Sequence, residues 1–396
     1  MGDATDFGRR PFVIPDPSPA SGEALKACPG AGLQHTFDRH DSQLVAELTD
    51  AWGPVRQVWE GCAADEAIRF AGSSGGAATA LALYCVEQEA MAGVLHTAAR
   101  PGQVVLNETV YSRTRAEMLS RTGSRYAPAS PCDKLDQIEQ ADAPSVFIGK
   151  PCDVAGLQQA RRLRPLLDAK VGLTIAFFCA GTPSTRGTLR LLQQMGVQQP
   201  MRLKSLRYRG NGWPGMFTAQ WVEHDGTQKT AEMSYAESWG FLQKYRQWRC
   251  YICPDHTGEF ADIAVGDPWY RDVAPGEAGK SLIIGRTPLG CQIIEAAQQA
   301  GYLTLESNDT SLLPRSQPNL LQTRAALWGR LWALRAAGAA VPNFVGFPMF
   351  AFWRRLPLHD KLSSFTGTLK RVLRRKLYKS IAIEQNHGES GDVSSQ

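Results

Sequence analysis

An α/β fold with a mixed, partly parallel sheet, flanking helices and a helical C-terminal appendage is what this sequence predicts, on three observations. From about residue 55 to 310 short apolar runs alternate with helical patterns, the order that strand–helix crossover units require. Residues 216–233 alternate apolar and polar side chains on both sides of Asp225-Gly226, which marks an antiparallel hairpin. Beyond residue 310 the chain turns to Leu-, Trp- and Arg-rich helical patterns, then an aromatic stretch, a basic helix and a polar end.

Taken in order, residues 1–45 read as a loose lead-in, with four prolines in the first 23 positions and no apolar run of signal-peptide length. Residues 46–140 and 141–310 form the two parts of the core, and 311–396 the appendage. The readable strands are 146–149 (VFIG), 173–178 (LTIAFF), 262–266 (DIAVG) and 281–285 (SLIIG), compact apolar runs between turn residues. Helical patterns follow at 153–163, 184–195 and 289–300, and another covers 77–88. No internal repeat of solenoid or propeller period is present.

Composition narrows the function classes. With 43% hydrophobic and 20% charged residues the chain is ordinary for a globular protein. The net charge of +5 is uneven: residues 351–380 hold nine Lys/Arg against Asp360 alone, which leaves the remainder acidic. A general nucleic-acid surface is therefore not expected, and no zinc-finger spacing or aromatic RNA-binding signature accompanies it. Nine cysteines without an export signal point to a reducing compartment, the cytoplasm.

The most informative segment is 250–269, CYICPDHTGEFADIAVGDPW. Cys250 and Cys253 form a C-x-x-C pair, whose two thiolates can face one metal centre from a single tight turn. Alone the pair is equally a zinc half-site or two unrelated loop thiols. Cys152 in GKPCD and Cys179 in FFCAGTPS each follow the carboxyl end of an expected strand, the edge where open α/β sheets collect ligands. Four thiolates meeting there suit a 4Fe-4S cluster or an all-cysteine zinc site. Ser73, Ser74, Gly75 and Gly76 precede the 77–88 helix; small residues at a helix start can cradle a pyrophosphate, although an ordinary glycine-rich cap has the same appearance. There is no G-x-G-x-x-G with a downstream acid, so NAD is not indicated.

These pieces occur together with CPG (28–30), RFAGSSGGAATALALYCVE (69–87), SRYAPASP (124–131), FIGKPCDVAGLQ (147–158) and RYRGNGWPG (207–215). In that order they resemble the coenzyme F420 hydrogenase/dehydrogenase beta-subunit family, which includes a plant-type hydroxymethyl chlorophyll reductase, over roughly residues 25–310. The resemblance implies an FAD-containing oxidoreductase with one 4Fe-4S cluster ligated by Cys152, Cys179, Cys250 and Cys253. It implies flavin phosphates at Ser73–Gly76. Lys150, directly before Pro151-Cys152, either places a cation near the flavin ring, where it stabilises the reduced form, or is a solvated loop lysine. Arg125, Asn211, Trp213, Asp267 and Trp269, in loops of the shared motifs, are candidates to line the cofactor or substrate pocket, with core filling the alternative for the tryptophans. The chain departs from many members in lacking an N-terminal ferredoxin-like cysteine run, so a second cluster is not expected. Cys132 is an alternative ligand or an unconnected thiol, and Cys85 and Cys291 are expected in the core.

Three functions follow: a redox enzyme acting on a small molecule and fed by an electron-donor protein, a non-catalytic electron-transfer subunit of a larger complex, or a binding protein stabilised by zinc. For the basic tail, Leu362, Phe365, Leu369, Val372, Leu373 and Leu377 fall on one helical stripe among Lys and Arg, with Phe344, Phe347, Phe350, Phe352 and Trp353 just upstream. This pattern predicts peripheral binding to an anionic membrane surface, on its inner face; a helix docked on the core is the alternative.

Overall fold

The computed structural model describes residues 2–6, 8–10, 20–274 and 276–379. Eight strands build the central sheet: β1 (Gln57–Ala63), β2 (Val94–Arg100), β3 (Gln103–Ser112), β4 (Ser145–Gly149), β5 (Val171–Phe177), β9 (Ile263–Gly266), β10 (Ser281–Gly285) and β11 (Leu303–Asn308). Three more, β6 (Leu203–Arg207), β7 (Met216–Val222) and β8 (Gln228–Ser234), form a separate antiparallel sheet. The order in the large sheet is β11-β1-β10-β9-β5-β4-β2-β3. Its middle, β9-β5-β4-β2, is parallel, and the flanking pairs are antiparallel.

The apolar strand runs follow from burial on both faces. Successive side chains point to opposite sides, so Val146, Ile148, Leu173, Ile175, Ile263, Val265 and Ile283 enter one core while Phe147, Ala176, Ala264, Leu282 and Ile284 enter the other. The helices Ala77–Glu87 and Pro288–Gln299 cover the first face. The helix Pro151–Arg161 covers the second and is the crossover between β4 and β5.

The expected hairpin is present, with Met216 opposite Ser234 and Val222 opposite Gln228. It does not make the main sheet mixed, since it belongs to the small sheet and packs on a third core with Leu191, Leu192 and Leu242. The antiparallel strands of the main sheet are instead β1, β3, β10 and β11. Of the expected lead-in, residues 20–45 contain the helix Ala20–Ala27 and the strand Gly32–Gln34, which pairs in parallel with Asn343–Val345.

In the appendage the helix Leu358–Arg374 docks on the helix Leu327–Ala336. The docking face is Ser364, Thr368 and Val372, all buried, and Gly329 leaves the room, since a Cβ there would collide with Ser364 Oγ. The apolar stripe read from the sequence is therefore split. Val372 faces inward, whereas Leu362 and Leu373 are 57% and 53% exposed. Phe347, expected to be free for a membrane, is buried with Leu33 and Ala155. Among the described residues no helix is long and apolar enough to cross a membrane.

Candidate cofactor site

Adjacent parallel strands place two cysteines side by side. β4 ends at Gly149, and Cys152 lies in the first turn of the helix that follows; β5, its neighbour, ends at Phe177, two residues before Cys179. The carboxylate of Asp153 holds that helix start by accepting from Lys150 N at 2.9 Å and Lys150 Nζ at 2.5 Å. Cys250 lies in the short helix Trp248–Tyr251, and its Sγ accepts from Thr182 N at 3.3 Å. The loop behind Cys253 is fixed by Asp255, which takes the backbone N–H groups of Thr257, Gly258 and Glu259. The Cys253 thiol donates to the Asp255 carbonyl at 2.9 Å.

Cys152, Cys179 and Cys253 each feel a neighbouring cysteine. Burial pushes the Cys152 thiol up to about 12, Asp153 and Cys179 adding to the effect and Lys150 and Arg249 opposing it. Burial, then Cys250, pushes Cys179 up to about 11. Cys253 is raised by burial and by Cys152, Asp255 and Cys250. An all-thiol donor set with two cations beside it fits an anionic iron–sulfur cluster in chemistry. Among the described residues no three His, Cys, Asp or Glu side chains stand in a metal-holding arrangement. Cys132 lies near Cys152, but its thiol donates to the Asp153 carbonyl at 3.3 Å. Cys85 is fully buried in the core, and Cys291 packs against it.

Beside the cysteines opens a cavity of 1080 Å³, above the roughly 300–1,000 Å³ usual for small-molecule sites. Ser73, Ser74, Gly76, Arg125, Lys150, Cys179 and Asp267 line it. The Ser-Ser-Gly-Gly turn contributes less than its sequence implies. The Ser73 and Ser74 hydroxyls are engaged with Ser124 N and the Lys280 carbonyl. Gly75 faces the sheet: its N–H donates to Ser281 Oγ at 2.9 Å, and a Cβ would lie 2.8 Å from Ser281 N and 2.9 Å from the Gly61 carbonyl. Gly76 starts the helix at φ 73° with no side-chain cap. An anion would therefore meet the first helical residues, Ala77, Ala78 and Thr79, which also line the cavity.

Arg125 is a structural arginine, donating to Asn107 Oδ1 and to the carbonyls of Leu206, Val104 and Leu106. Asn211 is exposed at φ 57° and is not part of the cavity wall. Asp267 is paired bidentately with buried Arg209, both contacts 2.8 Å, and accepts from Trp213 Nε1 at 3.1 Å. The Arg209 guanidinium lies over the Tyr235 ring at 4.4 Å, and Tyr235 stacks on Trp269 at 5.8 Å. Arg209 and Tyr235 escaped the sequence reading because their partners Asp267 and Trp269 lie more than thirty positions away. His256 escaped it too, although it follows the C-x-x-C closely. Its Nδ1–H donates to the Cys179 carbonyl at 2.8 Å, leaving Nε2 a bare, buried acceptor. Burial, then Arg246, Arg330 and Arg324, push its pKa down to about 4, against the bond to Cys179.

Two family descriptions match: the N-terminal region of the coenzyme F420 hydrogenase/dehydrogenase beta subunit, over residues 58–135, and the C-terminal region of the same beta subunit, over 144–311. The F420-dependent formate dehydrogenase 1 subunit beta of Methanococcus maripaludis is 28% identical over 246 residues, 61% of this chain and 59% of that protein. The coenzyme F420 hydrogenase subunit beta of Methanosarcina barkeri is 24% identical over 245 residues, 60% of this chain and 77% of that protein. The chain thus spans less than two thirds of the first relative's length. A chain of the F420-reducing [NiFe] hydrogenase complex from Methanosarcina barkeri shares the fold, with a TM-score of 0.56, 19% identity, and coverage of 75% of this chain and 98% of that one. With both family segments present in order across the sheet that carries the cysteines, the chain belongs to the coenzyme F420 hydrogenase/dehydrogenase beta-subunit family.

Proposed function

We propose that this chain is an oxidoreductase that holds one 4Fe-4S cluster on Cys152, Cys179, Cys250 and Cys253 and FAD in the adjoining cavity, exchanging electrons with a small-molecule substrate. The observation that carries this reading is the convergence of Cys152, Cys179, Cys250 and Cys253 from three distant segments, close enough to perturb one another's titration, with Cys179 on the wall of a large cavity. Such a cluster supplies one-electron transfer, and FAD joins it to two-electron chemistry. Lys150 and Arg249 offset negative charge at the thiolates, and Lys150 also faces the cavity. The N-terminus of the Ala77–Glu87 helix, which has no side-chain cap, offers backbone N–H groups to a diphosphate.

The related proteins are named as beta subunits of hydrogenases and formate dehydrogenases, which favours an electron-donor protein as partner. Exposed Leu358, Leu362 and Leu373 amid basic residues suit peripheral contact with an anionic bilayer.

Anaerobic purification with visible spectroscopy, metal analysis and flavin extraction tests the cofactors, and turnover with artificial donors and acceptors separates an enzyme from a non-catalytic subunit. Bound FAD with about four irons per chain is expected. Stoichiometric zinc without iron overturns the cluster and leaves a zinc-stabilised binding protein.

A further inference from the structure

At one part of the cavity three arginines meet around Tyr251, the residue that follows Cys250. The guanidinium of Arg246 lies 4.2 Å from the Tyr251 ring centre and that of Arg371 4.7 Å. Arg330 Nη1 donates to the Tyr251 carbonyl at 2.7 Å. All three line the cavity shared with Gly76, Lys150 and Cys179. Arg246 spends Nη1 on the Ala180 carbonyl, but its Nε is buried without a partner.

Like charges brought together out of water repel, and a fold that tolerates them supplies a carboxylate or leaves the place for an anion. Here burial lowers the pKa of Arg330 to about 10, and the neighbours that add most to the effect are Arg246 and Arg371. Arg371 is likewise lowered by burial and by Arg375, Arg246 and Arg374, with Tyr251 opposing them. Planar guanidinium groups match phosphate oxygens through paired N–H donors. Arg330 and Arg371 belong to the Leu327–Ala336 and Leu358–Arg374 helices, beyond residue 311 where the family match ends.

We propose that Arg246, Arg330 and Arg371 form a subsite for the phosphate or diphosphate group of a phosphorylated redox substrate, distinct from the helix start that faces the flavin phosphates. This deepens the oxidoreductase reading and rests on it for the word substrate. A diphosphate held here keeps the remainder of the molecule inside the same cavity, alongside Lys150 and Cys179.

The test is calorimetric titration of the full-length, flavin-loaded protein with inorganic pyrophosphate, with orthophosphate and chloride at equal ionic strength for comparison. Saturable pyrophosphate binding is expected, weakened at least tenfold in Arg371→Gln and further in Arg330→Gln/Arg371→Gln. It should be unchanged in Arg354→Gln, an exposed arginine of the neighbouring helix. Among the described residues the Arg371 side chain meets Tyr251 through its ring and through no hydrogen bond, so its single variant remains informative if the double variant is unstable. Equal affinity in wild type and Arg371→Gln overturns the subsite. So does loss of flavin from Arg371→Gln, because the arginines would then hold the cofactor's own diphosphate. Arginine-dependent pyrophosphate binding by a protein that carries no flavin keeps the anion subsite and removes the oxidoreductase reading.

Discussion

Cys152 and Cys179 owe their proximity to the parallel pairing of β4 and β5, which delivers the carboxyl ends of both strands to one edge. Cys250 and Cys253 reach the same place on a turn tied to it by the Thr182 N–H and by the two bonds between Cys179 and His256. Serine at any of the four is expected to cut iron content by more than half, bleach the broad visible absorbance and lower the thermal midpoint, because metal binding and folding are coupled. Cys85→Ser and Cys291→Ser should leave iron unchanged, although Cys85→Ser lowers stability from within the core. Normal iron in Cys179→Ser would reassign that ligand, with Cys132 the first replacement to examine.

Among the elements, the Ala77–Glu87 helix is set up by Gly75, which lets the turn lie against β1 and β10, and by Gly76, which takes the left-handed conformation. A bulky residue at Gly75 would clash with backbone and lower flavin content through misfolding, so it says little about phosphate binding. Ala78→Asp is the sharper change. A carboxylate in the first helical turn favours the helix itself, yet repels a phosphate at the same N–H groups. Flavin content should fall about tenfold or more with the thermal midpoint of the flavin-free protein retained; full occupancy refutes the assignment. The Leu358–Arg374 helix has a different division of labour: Ser364, Thr368 and Val372 dock it, and Leu362 and Leu373 face solvent. Leu362→Glu/Leu373→Glu should therefore abolish sedimentation with anionic vesicles and leave the thermal midpoint unchanged, whereas equal sedimentation of variant and wild type excludes a membrane role for this face. Truncation near residue 340 is a poorer test, since it strips the Asn343–Val345 strand from Gly32–Gln34 and uncovers the helix beneath.

Across the whole molecule, Glu259 joins three regions of the chain. Its buried carboxylate pairs with Arg324 of the C-terminal helices and accepts from His35 Nε2 of the N-terminal segment at 2.9 Å. Burial alone raises its pKa, but Arg324, His35 and Arg286 outweigh burial and hold it at about 2, against an ordinary 4.5. A depressed carboxyl pKa contributes stability that is complete above about pH 4.5 and disappears as pH falls toward 2, a contribution on the order of 1–3 kcal/mol. Urea midpoints measured between pH 7 and pH 3 should decline more steeply for wild type than for Glu259→Gln; parallel curves would remove Glu259 from the account.

The strands 281–285 and 146–149, the hairpin about Asp225-Gly226 and the helix after Gly76 were legible because each is written in local terms: a compact apolar run, a turn dipeptide, a glycine before a helical run. The position of Cys152 and Cys179 just past two strand ends was legible from the apolar runs before them. The structural duty of Gly75, the commitment of Arg125 to backbone carbonyls, the Arg209–Asp267 pair and the arginines around Tyr251 carry no such local mark. Most of their partners lie tens of residues away, and a charge has no periodicity from which its neighbours can be read. By itself the sequence determined the elements, the two-faced burial of the parallel strands and the thiols at their ends. Which side chains face the cavity and which are spent on backbone was decided by the crossovers and by the docking of the C-terminal helices, because burial and electrostatics depend on distances that only the folded chain creates.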